Sequence, residues 1–279
     1  MKLRSLLFVP GDRPDRFGKA AASGADAIIL DLEDSVAPQN KAAARIAVRD
    51  WLAMRDTSVA IFVRVNALDG GEIGADLAAI LGLPLDGLLL PKAEGAASVE
   101  ALLALAGKGV LPPILPIATE TPAAIFEIGS YRQIANRLIG LTWGAEDLPA
   151  AIGATTSRDP DGRYTAPYEM VRSLTLFGAY AAGVLAIETV YPNIADLAGL
   201  ASYVARGRRD GFTAMMAIHP SQVDAINRGF TPSDAELAHA RAIVAAFAAV
   251  PSAGALKLDG RMIDRPHLRQ AERLLAGFG

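Results

Sequence analysis

The segment Leu138–Pro149 reads LIGLTWGAEDLP: an apolar run from Leu138 to Trp143, a break at Gly144, then two carboxylates, Glu146 and Asp147. An unbroken apolar run of this kind marks a strand buried on both faces, as parallel sheets require. Upstream, Ile114–Glu120 (ILPIATE) repeats the pattern and ends in Glu120. Two neighbouring parallel strands that each end in a carboxylate can hold one hard divalent cation between them. Mg2+ suits such a site, because it takes oxygen ligands and keeps positions open for water and substrate.

Working outward, eight apolar runs recur: Leu6–Val9, Ala27–Leu32, Ala60–Val65, Gly87–Leu90, Ile114–Ala118, Leu138–Trp143, Val184–Ile187 and Thr213–Ile218. Segments of helical period separate them: Pro14–Ser23, Pro38 to about Met54, a shorter Gly70–Leu81, Ala96–Ala106, Pro122–Ile128, Tyr168–Ala182, Ile194–Arg206 and Ser221–Arg228. Strand–helix alternation repeated eight times predicts an α/β fold, a (β/α)8 TIM barrel over residues 1–230. Residues 231–279 then form a C-terminal extension, with helices over Asp234–Ala249 and Arg265–Ala276 and a short strand at Ala255–Leu258. A barrel does not need this tail; it could pack on its own barrel or act as a lid over a neighbouring subunit's site. Ala154–Ala166 has no regular period, and is expected to be either a lid or an ordered surface excursion.

Composition narrows the function. With 52% hydrophobic residues in 279, the chain has material for a large core. A net charge of −3 and no basic run interleaved with aromatics argue against a nucleic-acid partner. The absence of Cys excludes disulfides, thiolate catalysis and Cys-ligated metals, and fits a reducing, cytoplasmic setting. No stretch approaches the length of a membrane span, and MKLRSLLFVPGD reads as a first strand rather than a signal peptide.

Side chains at the C-terminal ends of barrel strands face the active site. Here those ends read PGDR, DLED, RVN, PKAE, ATE, GAED, ETVYP and IHP, nearly all with a charged or hydrogen-bonding group, while the opposite ends are mostly turns. That asymmetry points to an enzyme. Glu120 and Asp147 are the candidate metal ligands, with helix capping as the plainer reading. Arg64 sits inside an apolar strand and must be paired. Its partner is Asp31 or Glu33 within the protein, or a substrate carboxylate, which its fork matches. The Gly144-Ala145-Glu146 backbone could hold an anion. Asp31, Glu33 and Lys92 are expected to support these groups from behind. Arg13 and Lys19, near the first helix, could reach phosphates, or form a solvated basic face. His219, before Pro220, is read as a structural hydrogen-bonding group rather than a base.

Taken together, RSLLFVPGDRPDRFGKAAASGADAIILDLEDSVAP, FVRVN, LLLPKAE, ATETPAAI, LTWGAEDL and AIHPSQV resemble the citrate lyase β-subunit-like family of the HpcH/HpaI aldolase group, over nearly the whole chain. The resemblance implies a (β/α)8 barrel that uses Mg2+ to make or break a carbon–carbon bond between an acyl-CoA, or carrier-bound thioester, and a 2-oxo acid. It implies Glu120 and Asp147 as metal ligands and Arg64 as the contact to the 2-oxo acid. Phe8, Arg13 and Lys19 would line the thioester site. It also implies that Asp264, in GRMIDRP, reaches a neighbouring subunit's site, within a homotrimer or a hexamer. Two departures stand out: Glu188 replaces an expected Asp, and Met215–Met216 lie where relatives often carry Lys. Citramalyl-, malyl- and citryl-CoA are all compatible substrates. Rival expectations are a β subunit confined to a citrate lyase complex, a pyruvate-type aldolase, and a catalytically silent scaffold.

Overall fold

The structure is a computed structural model that describes residues 3–278. Each of the eight apolar runs forms a strand: β1 Ser5–Pro10, β2 Ala27–Asp31, β3 Ala60–Arg64, β4 Gly87–Leu90, β5 Ile114–Pro116, β6 Gly140–Thr142, β7 Leu185–Glu188 and β8 Ala214–Ala217. They pair in parallel in the order β5-β4-β3-β2-β1-β8-β7-β6. The two ends of that order meet through parallel bridges Ile114 to Leu138 and Ile117 to Thr142. Ala118 N–H donates to the Thr142 carbonyl at 2.9 Å and Ile139 N–H to the Ile114 carbonyl at 3.0 Å, which closes the ring.

Successive strand residues face opposite sides, and the burial follows that alternation. Leu6, Ala27, Ile29, Phe62, Leu89, Leu115, Ile117, Ile187 and Met216 fill the barrel interior. Their neighbours Leu7, Val9, Ile28, Leu30, Val63, Leu88 and Leu90 pack outward against the helices. Phe62 takes so much of the interior that a Cβ at Gly87 would lie 2.1 Å from its ring, so a glycine is required on the adjacent strand.

The surrounding helices are α1 Phe17–Ala21, α2 Lys41–Ala53, α3 Ile73–Ile80, α4 Gly95–Ala106, α5 Pro122–Glu127, α6 Asp147–Ile152, α7 Ala166–Ala182, α8 Leu197–Asp210 and α9 Pro220–Gly229. Their ends obey local chemistry. Thr121 caps α5 by accepting the Ala124 N–H, and glycines 153, 183 and 211 end α6, α7 and α8 in the left-handed conformation. Three features depart from the sequence reading. The first helix opens as a 3-10 turn over Pro14–Arg16, a 3-10 stretch covers Ile128–Arg137, and α6 begins within the acidic motif itself.

The segment between α6 and α7 is an ordered excursion. Its arms are joined by Asp159 N–H to the Arg163 carbonyl (2.8 Å) and Thr165 N–H to the Ser157 carbonyl (3.0 Å). Tyr164 anchors it edge-on against Trp143, with ring centroids 5.0 Å apart.

Leu3–Phe230 make one compact unit, and the residues from Thr231 onward make a second. The second contains α10 Asp234–Ala249, a hairpin of β9 Ala255–Leu258 and β10 Arg261–Asp264, and α11 Arg265–Phe278. Positive φ at Asp259 and Gly260 gives the two-residue hairpin turn. Its own small core holds Ala240, Ile243, Phe247, Ile263 and Ala271.

Candidate functional site

At the C-terminal end of the barrel, Asp31 on β2 and Arg64 on β3 are register partners. Alternation turns both inward, above Ile29 and Phe62. Arg64 grips Asp31 through two parallel bonds, Nε to Oδ1 and a terminal nitrogen to Oδ2, each 2.6 Å. Its other terminal nitrogen lies 3.0 Å from Glu33 Oε2. Its guanidinium also sits over the Phe8 ring, 4.8 Å from the centroid. Burial works against the charge on Arg64, but Asp31, then Glu33 and Glu120, outweigh it and raise its pKa. Asp31 is pushed up by burial and pulled down further by Arg64, so it ends below the usual carboxylate range.

Glu120, just past β5, is 5% exposed. The backbone N–H of Lys92 donates to its Oε2 at 2.6 Å. Lys92 adopts φ +50°, a conformation uncommon for a residue with a side chain. On the other side, a Cβ at Gly144 would stand 2.7 Å from Glu120 Cγ and 3.0 Å from Oε1, so the carboxylate is wedged between the Lys92 N–H and Gly144. Gly144 is itself fixed by the buried Thr119, whose hydroxyl accepts its N–H at 3.0 Å and donates to its carbonyl at 3.1 Å. Asp147 opens α6, half-buried, with Oδ1 3.6 Å from Lys92 Nζ. The same ammonium donates to Glu33 Oε1 at 2.6 Å. Burial, with Asp147 and Glu33 adding to it, pushes the Glu120 carboxyl up to about 8, the Lys92 N–H offsetting part of this. Glu33 is also raised by burial, which outweighs its two cations.

Residues 4–220 match the family model for HpcH/HpaI aldolase/citrate lyase. The chain belongs to the HpcH/HpaI aldolase/citrate lyase family. It is 40% identical over 273 residues to a citrate lyase subunit beta-like protein of Mycobacterium tuberculosis, covering 98% of this chain and 94% of the relative. It is 32% identical over 293 residues to an L-malyl-CoA/beta-methylmalyl-CoA lyase of Cereibacter sphaeroides, covering 96% and 92%. Among solved structures, M. tuberculosis CitE in complex with magnesium, acetoacetate and coenzyme A superposes with a TM-score of 0.83 at 37% identity, covering 99% of this chain and 98% of that one. As a member of this HpcH/HpaI family, the protein is a carbon–carbon lyase.

The donor set at Glu120 and Asp147 fits Mg2+. Both groups are carboxylates, and burial, with the nearby Asp147 adding to it, disfavours the ionised form of Glu120 until a cation arrives. Among the described residues no group of three or more His, Cys, Asp or Glu is placed to hold a metal. Two protein carboxylates, with water and substrate completing the shell, is the usual arrangement for Mg2+.

The other expected residues fall into three groups. Phe8, Asp31, Glu33 and Lys92 join Arg64, Glu120 and Asp147 in one connected cluster. Arg13 and Lys19 are both exposed, and the Arg13 side chain is turned to Asp15 at 3.0 Å. The remaining residues are held by other contacts. The Gly144 N–H is committed to Thr119, so an anion-holding turn would begin at Ala145. His219 is an N-cap: its ring accepts from the Ser221 N–H and Gln222 completes the capping box of α9. Glu188 does not reach the mouth. Being one residue past the inward Ile187, it faces the helix layer, where it meets Arg172, Trp143 and Tyr203. Asp264 lies in the second unit, at the junction of β10 and α11, paired with His267. Sequence reasoning missed Thr119 as the link between the two acidic strand ends; its signal was its place immediately before Glu120.

Proposed function

We propose that this lyase cleaves, or in reverse forms, a 3-hydroxy-acyl-CoA such as citramalyl-, malyl- or citryl-CoA, giving an acyl-CoA and a 2-oxo acid with Mg2+ as cofactor. The observation that carries the reading is the wedged Glu120 carboxylate beside Asp147, with Arg64 in the same mouth. Magnesium in the related CitE structure supports it, as does the malyl-CoA lyase relative.

Glu120 and Asp147 would hold Mg2+, which supplies Lewis acidity at the oxygens of the 2-oxo acid. Arg64 keeps N–H groups beyond those given to Asp31 and Glu33, since its fork has five. These would fix the substrate carboxylate, with the Ala145–Glu146 backbone on the other side. The Lys92 ammonium, held by Glu33, balances Asp147 and keeps it oriented. As the hydroxyl proton passes to a water molecule, the carbon–carbon bond breaks, its electron pair passing to the thioester as an enolate. By family resemblance Asp264, contributed by a neighbouring copy, protonates that enolate carbon, or removes the same proton in the condensing direction.

The test is an assay of the purified protein with Mg2+ against malyl-, citramalyl- and citryl-CoA. Cleavage of one of them, abolished by Glu120→Gln, is expected. Turnover of a carrier-protein thioester alone would shift the reading to a citrate lyase β subunit.

A further inference from the structure

We propose that His267 is the positioning residue for Asp264: its ring holds Oδ1 of the carboxylate and leaves Oδ2 for the transferred proton. The inference rests on the lyase reading and on the role given there to Asp264.

The pair sits where β10 turns into α11. His267 Nδ1 lies 2.6 Å from Asp264 Oδ1. Two acceptors do not approach so closely without a hydrogen between them, so Nδ1 carries the proton and donates it. The carboxyl is pulled below its ordinary value, first by the ring's hydrogen bond and then by its backbone N–H and charge.

A capping box would produce a superficially similar pair, an Asp at the helix start and a partner three residues on. In such a box the side chain-to-backbone bonds dominate. Here they are the long ones: Asp264 N–H to Nδ1 is 3.3 Å and His267 N–H to Oδ1 is 3.5 Å. With the proton on Nδ1, the first of these has no lone pair to meet. The short contact is between the two side chains, and all three contacts converge on the ring and Oδ1. Among the described residues no hydrogen bond to Oδ2 is found, and the side chain is 36% exposed. A carboxylate with one oxygen tied and the other open is suited to receive a proton from carbon.

Other charged groups do not share this task. Asp264 stands opposite Ala255 in the hairpin, and Lys257 of β9 is paired with Met262. Arg265, next in the chain, reaches the Pro251 carbonyl at 2.6 Å and covers the Phe247 ring of α10. The hydrogen bond from His267 is what lowers Asp264 most.

In the condensing direction, Oδ2 takes a proton from the α-carbon of the acyl-CoA. The C–H electron pair stays as the enolate, and the proton leaves on Asp264. By donating to the ionised carboxyl, His267 keeps it ready as a base and oriented for that step.

The experiment compares His267→Gln, His267→Ala and Asp264→Asn in the full-length protein, with Mg2+, acetyl-CoA, and glyoxylate, pyruvate or oxaloacetate. Gln at this position keeps a polar side chain able to cap α11 but lacks the imidazole that fixes Oδ1, so it retains any purely structural role. The expected result for His267→Gln is a fall in kcat of about tenfold or more near neutral pH, with KM within about twofold and an unchanged unfolding midpoint. The acid limb of its pH–rate profile should move to higher pH, since the ionised carboxyl has lost a donor. A His267→Gln profile that superimposes on the wild type while Asp264→Asn is inactive overturns this inference and leaves the lyase reading standing. Full turnover in Asp264→Asn overturns the role of Asp264 and this inference with it.

Discussion

At the scale of single residues, the site depends on a glycine. Gly144 has no steric room for a side chain, because a Cβ would press on Glu120 Cγ and Oε1. Gly144→Ala is therefore expected to displace the carboxylate and weaken Mg2+ binding about tenfold or more, a loss of ~1.4 kcal/mol, measured by calorimetry. Undiminished affinity would show that Glu120 is not a ligand. Glu120 also sets a pH dependence. Its carboxyl is raised from an ordinary 4.5 to about 8. A raised carboxyl binds its proton more tightly in the folded state, so its contribution to stability is whole below the unfolded value. It is lost as pH climbs through the folded one. Mg2+ takes the ionised form, so below about pH 8 each binding event must release a proton. The rise in melting temperature on adding Mg2+ should be larger at about pH 8.5 than at about pH 6. An equal rise at both would mean that Glu120 does not exchange its proton for the metal.

At the scale of elements, most of the barrel was legible because buried parallel strands announce themselves as apolar runs, and each of the eight runs became a strand. The hairpin strand β10 was overlooked, although Asp259-Gly260 after an alternating segment is a strong turn signal. Helix α6 was overlooked because it spans six residues with Pro149 inside, too short to show a period. Alternation within a strand also carried information that strand ends alone did not: Ile187 faces inward, so Glu188 must face outward. There it accepts from the Trp143 indole and the Tyr203 hydroxyl, and pairs with Arg172, whose side chain is 3% exposed and also reaches Asp210. These partners lie up to 45 residues away in sequence, and no local pattern joins them. The network fastens β6, α7, β7 and α8 together just below the turn that carries Asp147. Glu188→Gln should leave Arg172 without its buried counter-charge and destabilise the fold by ~3–5 kcal/mol, read from denaturant unfolding. A loss under about 1 kcal/mol would mean that Asp210 alone suffices to hold Arg172.

At the scale of the whole molecule, the barrel unit contains the proposed ligands and Arg64, while Asp264 belongs to the second unit. The lyase chemistry needs a proton donor or acceptor opposite the metal-held face of the substrate. Within the cluster around Arg64, Asp31 and Glu33 are committed to cations and Glu120 and Asp147 to the proposed metal, while Asp34 lies on the exposed side of Lys92 at 3.9 Å. An acid from elsewhere is the economical solution, and the proposed reaction takes it to be Asp264 of an adjacent copy. That arrangement makes a prediction which a site confined to one chain does not share. Asp264→Asn and Glu120→Gln are each expected to be inactive alone. Co-expressed in equal amounts, they should assemble mixed oligomers in which some sites combine an intact Glu120 from one chain with an intact Asp264 from the next. With random assembly that describes about a quarter of the sites, and activity should recover in proportion. If Asp264 serves the barrel of its own chain, every site in the mixture keeps one defect and no activity returns.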